Sequence, residues 1–253
     1  METTTIKTEN MINPNATAML NSNTLEEIKA VALPEKTDTY QPVAHEEVIS
    51  YVLNELSDKL PQFKLQDINY GLSQKGQCLF GMATFSNGNK YMGPSIAFRN
   101  SYNKEFSLGF AFGSQVFVCA NGMFTGDIVV AKKHTTNVWA SMREVMDVEI
   151  SNVEKSYKKL ESDVSAMREI EMPTDEGFRA LGLLRGKEVL TPRVFEKAMK
   201  EFIEPSYNEH RDGTALQLYN ACTEGLKLET NPARAMSQRI LLHDEFSSIV
   251  LPN

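Results

Sequence analysis

Cysteine is scarce in this sequence: Cys78, Cys119 and Cys222 are the only three in 253 residues. They are too few and too scattered for a disulfide framework or a zinc site, so a reducing, cytoplasmic setting is the default expectation. Histidine is nearly as scarce. His45, His134, His210 and His243 stand apart, with no His-x-x-x-His or Cys-x-x-Cys spacing, and no metal and no cofactor are expected. No apolar run approaches the ~18 residues that a membrane span needs. The first twenty residues lack the basic-then-apolar order of a secretory leader. Basic charge is also short: 26 Lys and Arg face 33 Asp and Glu, for a net charge of −7, which argues against a generally basic nucleic-acid binder. Gly182 to Lys187, read as Gly-Leu-Leu-Arg-Gly-Lys, has neither the length nor the Ser/Thr of a phosphate-binding loop, so ATP is not assigned.

What is present is unevenly placed. Residues 61–135 carry 7 basic and 3 acidic side chains, a basic island in an otherwise acidic chain. Within it, the stretch from Pro94 to Thr135 organises the rest. Phe106, Leu108, Phe110, Phe112, Val116 and Val118 share one parity, while Ser107, Gly109, Ala111 and Gly113 share the other. Strand side chains alternate between faces, so this pattern predicts a strand with one bulky face and one nearly bare face. A bare face admits the close approach of a helix, a backbone or a ligand.

Taken in order, residues 1–39 are rich in Thr, Asn and Glu without a sustained period; LEEIKAVAL has the makings of a transient helix, yet the segment reads as a mostly disordered tail. Residues 40–253 read as one α+β domain. Ile49, Val52, Leu53 and Leu56 have amphipathic helical spacing that Pro61 stops. About five strands follow up to residue 135, separated by turn-forming pairs at Lys75-Gly76, Asn87-Gly88, Tyr102-Asn103 and Asn121-Gly122, which predicts an antiparallel β meander. The period then turns helical. Trp139, Met142, Met146, Ile150, Val153, Tyr157, Leu160, Val164 and Met167 are 3 or 4 residues apart, with a heptad alternation from Met146 onward. This predicts a long helix within 136–172, of ~33 residues and ~50 Å. Its stripe exceeds what the sheet covers, so it must meet the C-terminal helices or a second copy of the chain. Residues 173–253 read as a helical half, with start signals at Thr174, Thr191-Pro192 and Asn231-Pro232.

Candidate chemistry is thin. Cys119 with His134 is the one nucleophile-base pair to weigh, since Lys132 and Lys133 would depress a nearby thiol pKa. Cys119 also ends an apolar run, where cysteine acts as a small hydrophobe, and no acidic orienter is marked, so no catalytic residue is assigned. Residues 174–204 fit a helix-turn-helix less well than a plain helical hairpin, because the second helix balances its charges. The cluster with the right inventory for an anionic ligand is Arg99, Asn100, Ser101 and Lys104 before the central strand, Cys119 and Asn121 after it, then Lys132, Lys133, His134 and Thr135. Arg99 and Lys132 are expected exposed, close together, and on the side of the sheet that carries His134. The opposing reading is a polar strand edge defended by lysines.

The segments RNSYNKEFSLGFAFGSQVFVCANGMF, AKKHT and GTALQLYNACTEGLK resemble motifs of the phage/plasmid-like domain of unknown function 932 family. Its elements fall here at Asn100 to Lys104, Gly113 to Asn121, Lys133 to Thr135 and Thr214 to Ala221. The resemblance spans roughly residues 40–245. It departs at Asn103, where the family more often has Asp, which weakens a metal role there. It implies a mobile-element origin in a bacterial host and no settled activity.

Two classes remain open. One is a non-enzymatic, nucleic-acid-associated homo-oligomer, binding or annealing single-stranded DNA in phage recombination or replication. The other is an enzyme or small-ligand binder acting on a nucleotide or other phosphate ligand through Arg99, Lys132 and His134.

Overall fold

In the Asn87-Gly88 reversal Gly88 holds φ +92°, a conformation that glycine adopts without a Cβ penalty. The reversal joins the second and third of five strands. These are β1 (Lys64–Ser73), β2 (Cys78–Ser86), β3 (Met92–Ser101), β4 (Leu108–Val116) and β5 (Asn121–Lys132). In this computed structural model, which describes residues 23–89, 91–116, 121–230 and 232–251, they form one antiparallel sheet in the order β1-β2-β3-β4-β5. The meander expected from the turn signals is therefore the observed topology. One turn differs: Asn121 and Gly122 pair with Val116 and Gln115 inside β5, and the connection falls on residues 117–120, outside the described residues.

The two faces of the sheet differ as the alternation requires. Leu108, Phe110 and Phe112 of β4 are buried with Ile96 and Phe98 of β3. Gly81 makes room for this layer, since a Cβ there would lie 2.1 Å from the Phe98 ring. The bulky face is covered by α2 (His45–Ser50), which widens into a π-helical turn over Tyr51–Leu56, and by α3 (Val138–Glu169). The helix α3 has 32 residues. Met142, Met146, Val153, Tyr157, Leu160, Val164 and Met167 are all buried along it. Phe63 meets Tyr157 edge to face at 5.9 Å, and the Tyr157 hydroxyl donates to the Met92 carbonyl at 3.2 Å. The buried part of the heptad stripe is thus covered within the chain by the sheet and the C-terminal helices, the first of the two alternatives that its length left open.

The C-terminal half consists of α4 (Thr174–Gly186), α5 (Pro192–Ile203), α6 (Ala215–Leu226) and α7 (Pro232–Val250). Thr191 caps α5 by accepting from the Val194 amide, and Thr214 caps α6 by accepting from the Leu216 amide. Thr174 is the first residue of α4 rather than its cap; Pro173 holds that position without a side-chain bond. Asn231 lies outside the described residues. The bare face of the sheet receives α7, whose Ile240 packs on Ala97 and Ala111. Small side chains there let the helix approach.

Residues 23–39 depart from the tail expected over 1–39. The α1 helix (Leu25–Lys29) carries a capping box between Thr24 and Glu27, and Ile28 is 1% exposed within the main core. Asn23 is tied to β1: its amide donates to the Tyr70 carbonyl at 3.4 Å, and its side-chain oxygen accepts from the Leu72 amide at 2.8 Å. The helical potential of LEEIKAVAL is thus realised as a docked helix rather than a transient one, because its apolar partners lie far along the chain. Residues 1–22 are outside the described residues. Among the described residues, no helix is long and apolar enough to cross a membrane.

Candidate functional site

Three strand ends meet at one end of the sheet: β1 turning into β2, β3 turning into β4, and the close of β5. Asn100, near the end of β3, sits there fully buried and binds three ways. Its side-chain amide nitrogen donates to the Val43 carbonyl at 2.8 Å and lies 2.9 Å from His45 Nδ1. Its Oδ1 lies 2.7 Å from His134 Nε2. The Val43 carbonyl only accepts, which fixes the orientation of the Asn100 amide. His45 Nδ1 must then accept, leaving its proton on Nε2, which donates to the Gly76 carbonyl at 3.1 Å. His134 in turn must carry its proton on Nε2. One carboxamide therefore sets the tautomer of two imidazoles.

The surroundings disfavour the charged form of both rings. His45 stacks on Tyr102 with ring centroids 3.8 Å apart and planes 1° from parallel, and its backbone amide donates to the Tyr102 hydroxyl at 2.9 Å. Burial, aided by the nearby His134, pushes the His45 pKa down to about 4 against the opposing pull of the Gly76 carbonyl. Burial lowers His134 as well. Desolvation disfavours the charged form of a base. The Tyr40 hydroxyl donates to the Tyr102 carbonyl at 3.1 Å, and its ring lies 5.8 Å from that of His134.

This buried network fixes the segments that carry four lysines. Gly76 follows Lys75, which holds φ +57° in the β1–β2 turn. Lys104 holds φ +64° in the β3–β4 turn, and its Nζ lies 4.4 Å from the Tyr40 ring centre, a cation–π contact. Lys132 and Lys133 immediately precede His134, whose carbonyl accepts from the Gln41 amide at 3.0 Å. Lys75, Lys104 and Lys133 are exposed and Lys132 is half-buried. None of the four has an ion-pair partner among the described residues. Glu105, the acid of the β3–β4 turn, is engaged instead by Gln74 and Asn103.

The residues expected to form an anionic-ligand cluster are thus only partly brought together. Asn100 and His134 are buried partners of each other rather than ligand donors. Ser101 closes the β3–β4 turn, its hydroxyl donating to the Phe106 carbonyl at 2.7 Å and accepting from the Phe106 amide. Lys104, Lys132 and Lys133 remain at the surface. Thr135 is exposed and its backbone leads into α3.

Arg99 departs from the expectation. It pairs with Gly109, which pairs with Ala131, whereas Lys132 pairs with Leu108. Directly opposed residues share a face and neighbours along a strand do not, so Arg99 and Lys132 project from opposite faces. Arg99 is half-buried, 5.3 Å over the Phe106 ring, with its Nε unpartnered. Cys119 and the side chain of Asn121 lie outside the described residues.

Sequence reading missed His45, Tyr40, Tyr102 and Lys75. His45 meets Asn100 across 55 positions, and no local spacing signals such a contact. Lys75 was legible only as half of a turn pair. Among the described residues, no group of three or more Asp, Glu, His or Cys side chains converges as a metal site would require.

The family model described as "Domain of unknown function (DUF932)" matches residues 33–244. The match covers most of the chain, and the protein belongs to this family. No curated protein and no solved structure matches it.

Proposed function

We propose that this DUF932 protein is a non-enzymatic, nucleic-acid-associated protein that holds single-stranded DNA by its phosphates at the lysine-bearing end of the sheet. The observation that carries the reading is that Lys75, Lys104, Lys132 and Lys133, from three separate stretches, lie at the same end of the sheet without ion pairs among the described residues, on a chain of net charge −7. Two of them occupy left-handed turn positions that glycine or asparagine fills more cheaply. The non-enzymatic part rests on the buried network: its two imidazoles are buried, their ring protons committed to Asn100 and Gly76, and neither is placed to serve an external substrate. The family resemblance implies a mobile-element origin, and replication or recombination of such an element is the setting proposed here for this activity.

Four phosphate contacts give a defined salt dependence. For single strands log K falls with log salt with a slope of about −0.7 per contact, here about −3. Binding of a labelled oligothymidylate should therefore weaken about 50-fold between 50 and 200 mM salt. Replacing Lys132 and Lys133 by Ala should bring the slope to about half of that. Absence of binding at 50 mM salt, or a full slope retained by the variant, would overturn the reading.

A further inference from the structure

A second feature borders the lysine end. Trp139 stands in the first turn of α3, four residues after Thr135, and is the only tryptophan in the chain. With the π-helical turn it walls a cleft of about 430 Å³. The ring of Tyr51 lies 5.3 Å from that of Trp139; Tyr51 is 2% exposed, and its hydroxyl is buried without a hydrogen-bond partner. Trp139 Nε1 donates to Glu47 at 2.9 Å. Arg143 binds both carboxylate oxygens of Glu55, at 2.8 and 2.9 Å. Ser50 and Asn54 complete the lining with exposed polar side chains.

The chemistry narrows the occupant by exclusion. An anion would face the Glu47 and Glu55 carboxylates. A cation would compete with Arg143, whose guanidinium carbon already lies 5.2 Å from the Trp139 ring centre and 5.8 Å from that of Tyr51. What the cleft suits is a neutral, planar ring with hydrogen-bonding edges. The partly exposed indole and the guanidinium plane offer surfaces for stacking, and Ser50 and Asn54 offer donors and acceptors for an edge. Conversion of an α-helix to a π-helical turn is rare and recurs at functional sites; here it carries Tyr51, Asn54 and Glu55 into the cleft.

We propose that this cleft takes one unpaired nucleobase, stacked on Trp139, beside the phosphates held by the lysine end. The proposal rests on the function proposed above for its setting but not for its chemistry, because a free nucleoside presents the same ring.

Fluorescence of the single tryptophan tests it on the full chain. Deoxythymidine at millimolar concentration should quench Trp139, and a twelve-residue oligothymidylate should do so at far lower concentration. An abasic oligomer of equal length should bind about tenfold more weakly and leave the emission unchanged. Trp139→Ala should weaken oligothymidylate binding about tenfold by anisotropy, and Trp139→Phe, which keeps a stacking ring and guards against a folding defect, should restore most of it. Quenching by the nucleoside with no tighter oligonucleotide binding would keep the base site and overturn the phosphate reading. Salt-dependent oligonucleotide binding with unchanged emission, and with Trp139→Ala binding as the unsubstituted chain does, would overturn the base site and leave the phosphate reading standing. No binding and no quenching would overturn both.

Discussion

His134 donates from Nε2 to Oδ1 of Asn100 across 2.7 Å, and that bond joins the end of β5 to the end of β3 past β4, which lies between them. Through the other arm of the same carboxamide, His45 and Val43 are drawn to the sheet. The arrangement positions three lysine-bearing segments from the inside, so its removal should be felt in stability first.

Asn100→Ala should leave the Val43 carbonyl, His45 Nδ1 and His134 Nε2 without partners in a buried site. Each orphaned group costs about 1–3 kcal/mol, and partial relaxation should hold the total near 3 kcal/mol. The check is the urea midpoint at pH 7.5, with the variant expected to unfold at clearly lower urea and an unchanged slope.

Acid should weaken the same site. The His45 pKa of about 4 lies below its ordinary 6.5, so the folded chain binds fewer protons than the unfolded chain between those values. Stability is then complete above about pH 6.5 and declines as pH falls toward 4, by about 3 kcal/mol if the whole shift is realised. Lowered carboxylates such as Glu55 and Glu201 add their own loss nearer pH 4. The histidine contribution is therefore read between pH 6.5 and 5, where His45→Phe should flatten the decline in urea stability.

Arg99 and Lys132 should behave differently although both were expected in one exposed cluster. Arg99 lies over Phe106 with a buried Nε, so Arg99→Ala should cost about 1–2 kcal/mol through lost packing while leaving the salt slope of DNA binding intact. Lys132→Ala should stay within about 0.5 kcal/mol of the parent and reduce that slope. Thermal melts and salt titrations on the two variants separate these outcomes.

Two glycines in the helical half should respond with opposite signs. A Cβ on Gly225 of α6 would lie 2.7 Å from the Val194 carbonyl oxygen of α5, so Gly225→Ala must push two packed helices apart and should cost about 2 kcal/mol. Gly182 of α4 has nothing within 4 Å of that position, and Gly182→Ala should stabilise by about 0.5–1 kcal/mol through helix propensity. Chemical denaturation of both variants checks the pair.

The sequence by itself determined the sheet, the long helix and the split between them. Leu108, Phe110 and Phe112 alternate with Gly109, Ala111 and Gly113 at period 2, and the stripe from Met142 to Met167 repeats every 3 or 4 residues. Such periods are local properties, set by backbone geometry whatever the rest of the chain does. The family could be read from the order of four short motifs. The site could be read only as an inventory. Spacing placed Arg99 beside Asn100 and Lys132 beside Lys133, but a face is decided by parity and register, and register is set by pairing between strands far apart in the chain. For the same reason His45 could not be read as the partner of Asn100, nor Ile28 as part of the core. Burial then turned Asn100 and His134 inward and left the lysines outside, because a neutral amide and imidazole can satisfy each other away from water while an unpaired ammonium cannot.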